Sequence, residues 1–244
     1  MKLYLIRHGE PNYKDNCLTP MGHLQAEALA RRLEKGGKKY SAIYSSNYGR
    51  AVETAEHTAV RLGMDLRRLD FMHELSYGKH GATREEKILY SPWKAPKGLV
   101  ENDVRLPAYD YADYWGFRGT KLEESEERII GGFDAWLAEN HGFVRDGTRY
   151  LCTREDNDEI LIFAHGGTIS MLLGHFMNTG TIAACMSLRI YLTSISTIDF
   201  RSDPGAFVLP AIRGISDFAH CEGISYTDPE EGCFGQDVLP GEIP

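Results

Sequence analysis

Apolar positions along this chain fall into two kinds of run. Leu3-Tyr4-Leu5-Ile6 and Ile160-Leu161-Ile162-Phe163-Ala164 are continuous rather than alternating, as expected of strands covered on both faces of a parallel sheet. Ala42-Ile43-Tyr44 is a shorter strand, and Leu66 to Leu69 is a weaker candidate. Between the strands, apolar residues recur at helical spacing. Thr19-Pro20 reads as an N-cap with proline in the first turn; the helix it opens should turn Leu24, Ala28, Leu29 and Leu33 inward and end at Gly36-Gly37. A second helix, from about Arg50 to Leu62, carries a narrow stripe of Ala51, Ala55, Ala59 and Leu62 and is closed by Gly63. Ile129, Ile130, Phe133, Trp136 and Leu137 predict one long helix from about Leu122 to Asn140. Ile169, Leu172, Leu173 and Phe176 predict another after the late strand. Two β-rich runs, near Leu188 to Phe200 and Ala206 to Ile212, are expected to complete the sheet.

This alternation predicts a three-layer α/β/α fold with a mostly parallel central sheet. The periodicity lapses between about Lys79 and Thr120, where Pro92, Pro96, Gly98 and Pro107 interrupt a segment holding Tyr90, Trp93, Tyr109, Tyr111, Tyr114, Trp115 and Phe117. A long irregular stretch of this kind reads as a cap inserted over the domain. The aromatics would either line a pocket or form the core of that cap. The expected organisation is one domain over residues 1–222, with the cap at about 79–120. Residues 223–244 form a Gly-, Pro- and Glu-rich tail.

Composition narrows the classes. Apolar residues make up 42% and charged residues 25% of 244, so the chain is an ordinary globular one. A net charge of -8 gives no basic field for nucleic acid or anionic lipid. The five cysteines are odd in number, scattered and without a C-x-x-C pair, which fits neither a disulfide framework nor a zinc knuckle. No apolar run reaches the length of a signal-peptide core or a membrane span. A cytoplasmic protein without metal or cofactor is expected.

The chemistry gathers at the predicted strand ends. Arg7-His8-Gly9 follows the first strand, Ser45-Ser46 with Arg50 follows the second, and His165-Gly166-Gly167 follows the late one. In an open parallel sheet, ligands bind outside the carboxyl ends of the strands. Two arginines there would offer planar forks to one anion. The helices opening near Asn47 and Gly166 would add unpaired N–H groups.

"LIRHGE", "YSSNYGRAVETAE" and "IFAHGGTI", supported by "LTPMGHLQAEALA" and "FMHELSYG", resemble the motifs of the histidine phosphatase superfamily, in its phosphoglycerate mutase-like branch. The resemblance runs from Lys2 to about His220 and is patchy between Ser91 and Leu122. It implies His8 as the nucleophile that takes a phosphoryl group and Arg7 and Arg50 as its phosphate grip. It also implies His165 as neutraliser of the charge in the transition state and Glu74 as proton donor. Glu10, Glu85 and Glu86 are the alternative carboxylates. Relatives often carry serine or threonine three residues after the nucleophile and asparagine six after it; here those positions hold Pro11 and Lys14. Asn16 is the candidate substitute contact for substrate, beside Arg7, Arg50 and the backbone at Gly166. Lys79, His80, Arg84 and Lys87 read as a solvated face.

The implied activity is that of a metal-independent phosphatase of the histidine acid phosphatase type, acting on a small phosphomonoester through a phosphohistidine. The alternatives are a phosphoglycerate mutase using the same residues and a non-catalytic phospho-ligand scaffold. The mutase reading is weakened because "SYGKHGATREE" only faintly echoes that subfamily's stretch after the acid loop. The scaffold reading is weakened because His8, Arg7 and His165 are all present.

Overall fold

The computed structural model describes residues 1–83, 86–87, 91–93 and 119–224. Most of the expected cap and nearly all of the expected tail therefore lie outside the described residues. The central sheet has six strands, in the spatial order Ala211–Asp217, Ile195–Asp199, Lys2–Arg7, Glu159–Ala164, Ala42–Ser45 and Leu66–Arg68. These are β1 (Lys2–Arg7), β4 (Ala42–Ser45), β5 (Leu66–Arg68), β8 (Glu159–Ala164), β9 (Ile195–Asp199) and β11 (Ala211–Asp217). The β1–β8, β8–β4 and β4–β5 pairs are parallel, and β9 runs against both of its neighbours.

The continuous apolar runs are explained by the pleat. Leu3, Leu5, Ile160 and Ile162 point into one core layer, while Tyr4, Ile6, Leu161 and Phe163 point into the other. Helices α1 (Pro20–Lys35) and α2 (Gly49–Leu62) cover the second face through Leu29, Leu33, Ala55 and Ala59. The other face is covered by α4 (Gly132–His141) and α5 (Gly166–Met177), through Phe133, Trp136, Leu137, Ile169, Leu172 and Phe176. The three layers are as the sequence predicts.

Several details differ from that reading. Leu24 is 56% exposed, because it lies five residues before buried Leu29 and so roughly 140° around the helix. The predicted long helix is divided into α3 (Lys121–Glu126) and α4 by a π-helical turn, Glu127–Gly131. Only Ile195–Asp199 of the Leu188 to Phe200 run is a strand, and the short helix α6 (Thr181–Ser187) precedes it. The Ala206 to Ile212 run is shared between two sheets. Its first part, β10 (Phe207–Val208), joins a separate three-stranded antiparallel sheet with β6 (Phe143–Asp146) and β7 (Arg149–Cys152). β6 and β7 are four residues each, and Arg145, Asp146 and Arg149 leave them only the short apolar runs Phe143-Val144 and Tyr150 to Cys152, too brief to stand out in an apolar count. A last pair, β2 (Pro11–Asn12) with β3 (Cys17–Leu18), frames the loop after the first strand.

Register sets the site. Arg7 lies opposite Ala164, and Ser45 opposite Phe163, so β1, β4 and β8 end level with one another. His8 and Ser46 continue the ladder through N–H bonds to the carbonyls of Ala164 (3.0 Å) and Phe163 (2.9 Å).

Candidate active site

The residues after these three strand ends meet. His8 and His165 face each other with ring centroids 5.2 Å apart, and both are buried. The His8 Nδ1 lies 2.7 Å from the Gly9 carbonyl, which can only accept, so the imidazole proton sits on Nδ1 and Nε2 keeps its lone pair. Arg50 Nε donates to that Nε2 at 3.3 Å. Burial, then the Arg50 and Arg7 charges, holds His8 well below the usual imidazole range. A neutral His8 with Nε2 directed into the site is the state a nucleophile requires.

His165 is held the other way round. Its Nε2 lies 2.7 Å from Ser46 Oγ, and that oxygen already accepts from the Tyr48 N–H at 3.2 Å. Ser46 can donate its proton to Nε2, and in that tautomer the imidazole proton is on Nδ1. Nδ1 is buried and has no hydrogen-bond partner among the described residues. Burial, then Arg50 and the neighbouring His8, also keeps His165 well below its usual range.

Two guanidiniums flank the histidines. Arg7 Nη1 donates to the Ile190 carbonyl at 2.6 Å. Arg50 is 1% exposed, and its Nη1 donates to Asn16 Oδ1 at 2.7 Å. Its guanidinium carbon lies 4.9 Å from the Tyr48 ring centre and 5.4 Å from that of Tyr13. Burial lowers the Arg50 pKa from its ordinary value but leaves an arginine cationic. Asn16 adopts a left-handed φ of 52°, which asparagine tolerates better than most residues. At Gly166 an added Cβ would lie 3.3 Å from Arg7 Nε, so a side chain there would press on the guanidinium.

Glu74 completes the group. It is 6% exposed, and its Oε1 accepts from the N–H groups of Leu75 (3.0 Å) and Thr168 (3.1 Å). The second of these lies in the first turn of α5, which ties the carboxylate to the helix that follows His165. A Cβ at Gly167 would come within 2.8 Å of the same oxygen, so the close approach needs glycine. The rival carboxylates are engaged elsewhere. Glu10 Oε1 accepts from Thr19 Oγ1 at 2.8 Å, and Glu86 accepts from the exposed Thr83 N–H at 2.8 Å. Glu85 and Arg84 lie outside the described residues. Lys79 and His80 are exposed, as expected, and His80 pairs with Glu124 at 2.7 Å. Of the cap aromatics, Trp93 packs edge-on against Tyr77 (6.0 Å) at the core; the other six are outside the described residues.

Sequence reasoning missed Tyr48, Thr168 and Arg128 as parts of this centre, and placed Ser46 at the second strand's end without a partner. Ser46 and Tyr48 stand inside the quoted middle motif, and Thr168 is three residues after His165. Nothing local to Arg128 marks it. Among the described residues, the one His/Asp group with metal-ligand proximity is His141 with Asp156 and Asp158. It belongs to the opposite end of the sheet, where Asp158 accepts from the N–H of Lys2 at the start of β1.

The model of the histidine phosphatase superfamily, branch 1, matches residues 3–212. A candidate phosphoserine phosphatase 2 of Hydrogenobacter thermophilus is 29% identical over 185 residues, covering 70% of this chain and 76% of that protein. A 2,3-bisphosphoglycerate-dependent phosphoglycerate mutase of Bartonella tribocorum is 29% identical over 98 residues, 35% of this chain and 48% of that one. The crystal structure of a phosphoserine phosphatase from Entamoeba histolytica in complex with 3-phosphoglyceric acid shares the fold. Its TM-score is 0.60 at 20% identity, over 90% of this chain and 98% of that one. The chain belongs to the histidine phosphatase superfamily, branch 1.

Proposed function

We propose that this protein is a phosphomonoester hydrolase of the histidine acid phosphatase type, working through a phosphohistidine on His8 and neutralising phosphate charge with its own side chains rather than a metal ion. The observation that carries the reading is the fixed tautomer of His8: Gly9 takes the Nδ1 proton, and the Nε2 lone pair faces the space between Arg50 and His165. Attack of Nε2 on phosphorus forms the N–P bond as the bond to the leaving oxygen breaks. Glu74 gives its proton to that oxygen. In the second step Glu74 takes a proton from water as the water attacks phosphorus; the N–P electrons return to Nε2 and inorganic phosphate departs. Arg7, Arg50, the Nδ1 proton of His165 and the helix N-terminus at Gly166 hold the non-bridging oxygens, where negative charge must be stabilised. Asn16, now bonded to Arg50, contributes its amide to the same oxygens.

The substrate is a small phosphorylated metabolite, bound within a single domain of residues 1–222. Among the described residues no helix is long and apolar enough to cross a membrane, and we place the reaction in the cytoplasm. The similar proteins named for phosphoserine and phosphoglycerate make these esters the first to try. The test is inorganic phosphate release from a panel of phosphoserine, phosphoglycerates, sugar phosphates and nucleotides, beside interconversion of 2- and 3-phosphoglycerate. Hydrolysis that greatly exceeds interconversion is expected. Interconversion as the main reaction would make the protein a mutase; neither reaction would leave a binding scaffold.

A further inference from the structure

Arg128 lies in the π-helical turn between α3 and α4, where the register of the helix shifts by one residue. Such turns recur at functional sites because they redirect a side chain. Its guanidinium pairs with no carboxylate among the described residues. Instead Nη1 donates to the carbonyls of Phe71 (2.7 Å) and His73 (3.0 Å), and Nη2 to that of Glu74 (3.2 Å). One rigid fork therefore grips the main chain at Glu74, at the residue before it and two residues further back.

The same helical segment holds this loop at two more points. Ser125 Oγ accepts from the Ser76 N–H at 2.8 Å. A Cβ at Gly132 would come within 2.7 Å of the Phe71 side chain, so the helix can approach the loop only with glycine there. Residues 73–77 have no helix or strand of their own to fix them. The carboxylate they carry has to sit within hydrogen-bond reach of a leaving oxygen.

We propose that Arg128 is a positioning residue that sets the Glu74 carboxylate through the loop backbone. The inference rests on the proposed acid role of Glu74. A misplacement of about 1 Å costs up to roughly 10²-fold in rate, and the loss should appear only where the leaving group needs a proton. A defect confined to stability would lower every substrate together. The experiment measures single-turnover phosphorylation by p-nitrophenyl phosphate and by the fastest alkyl ester of the panel. The ratio of the two rates in one sample is independent of the fraction of folded enzyme. Arg128→Met should lower the alkyl rate relative to the aryl rate at least 10-fold. Arg128→Lys, which keeps one donor group, should recover part of it. The Glu74→Gln/Arg128→Met double variant should be no slower than Glu74→Gln alone. An unchanged ratio in Arg128→Met beside a selective Glu74→Gln, or losses that multiply in the double variant, overturns the inference and spares the acid role. A Glu74→Gln variant indifferent to the leaving group removes the acid role and the inference with it.

Discussion

Arg50 Nε donates to the Nε2 of His8 at 3.3 Å, so the two groups that should bracket a phosphoryl group already share one hydrogen bond. A phosphate entering the site takes over the arginine donors, and His8 Nε2 is released towards phosphorus. Arg50→Lys keeps the charge but loses the planar fork that donates two parallel hydrogen bonds to one phosphate. The expected result is a fall in kcat/KM on the order of 10²-fold, the usual cost of removing one donor from a transition-state site. Steady-state kinetics with p-nitrophenyl phosphate checks this; a change under about 3-fold would remove Arg50 from the transition state.

Stability should depend on pH through the two buried histidines. Both are held well below the usual imidazole range, first by burial and then by Arg50. In the unfolded chain they titrate near 6.5. As pH falls below about 6.5 the unfolded state binds protons that the folded state refuses, so stability is lost on acidification and retained above that value. Each histidine contributes a slope of up to about 1.4 kcal/mol per pH unit in that window. Urea denaturation at steps between pH 7.5 and 5 should show the decline, and His8→Asn should flatten it. An equally steep decline in His8→Asn would mean that His8 takes up a proton as readily in the native protein as in the unfolded chain.

Asn16 tests how the loop compensates for Pro11 and Lys14. Its backbone φ of 52° means that alanine would add strain to the loss of Oδ1, so glycine is the cleaner substitution. Asn16→Gly should leave the fold intact and weaken competitive inhibition by inorganic phosphate several-fold, about 1 kcal/mol for one lost hydrogen bond. Asn16→Asp, which sets a carboxylate beside the phosphate, should weaken it further. Equal inhibition constants in all three proteins would exclude Asn16 from the anion site.

Gly22 sets helix propensity against sterics. Glycine to alanine inside a helix normally stabilises by up to about 1 kcal/mol. At Gly22 the new Cβ would collide with the Glu10 carbonyl of the loop after the nucleophile. Overpacking against backbone costs about 1–3 kcal/mol, so the collision should win. Gly22→Ala is expected to lower the thermal midpoint and to reduce turnover by displacing Gly9 and Glu10. A raised midpoint would show that the loop yields easily.

The layers and four members of the centre were legible because each depends on local sequence. Continuous apolar runs mark strands covered on both faces, and the carboxyl end of each strand is where Arg7, His8 and His165 stand. Arg50 was legible from its place at the opening of α2. What was not legible depends on distant pairing. The charged hairpin at Phe143 to Cys152 is defined by its partner β10, some 55 residues later. The break at Glu127–Gly131 lies where the helix meets Phe71 and the acid loop, a contact between residues more than 50 apart in the chain. Leucine at position 24 reads as an inward residue, but its angle from Leu29 puts it in solvent.

The central claim is that His8 Nε2 carries the phosphoryl group, and a single measurement addresses it. Enzyme is mixed with excess labelled p-nitrophenyl phosphate, quenched in denaturant at alkaline pH within the first turnover, and digested for mass spectrometry. The account predicts one base-stable, acid-labile phosphate on the peptide containing His8, absent from His8→Asn and unaffected by EDTA. Label on another residue, or full turnover by His8→Asn with no covalent phosphate, would contradict it.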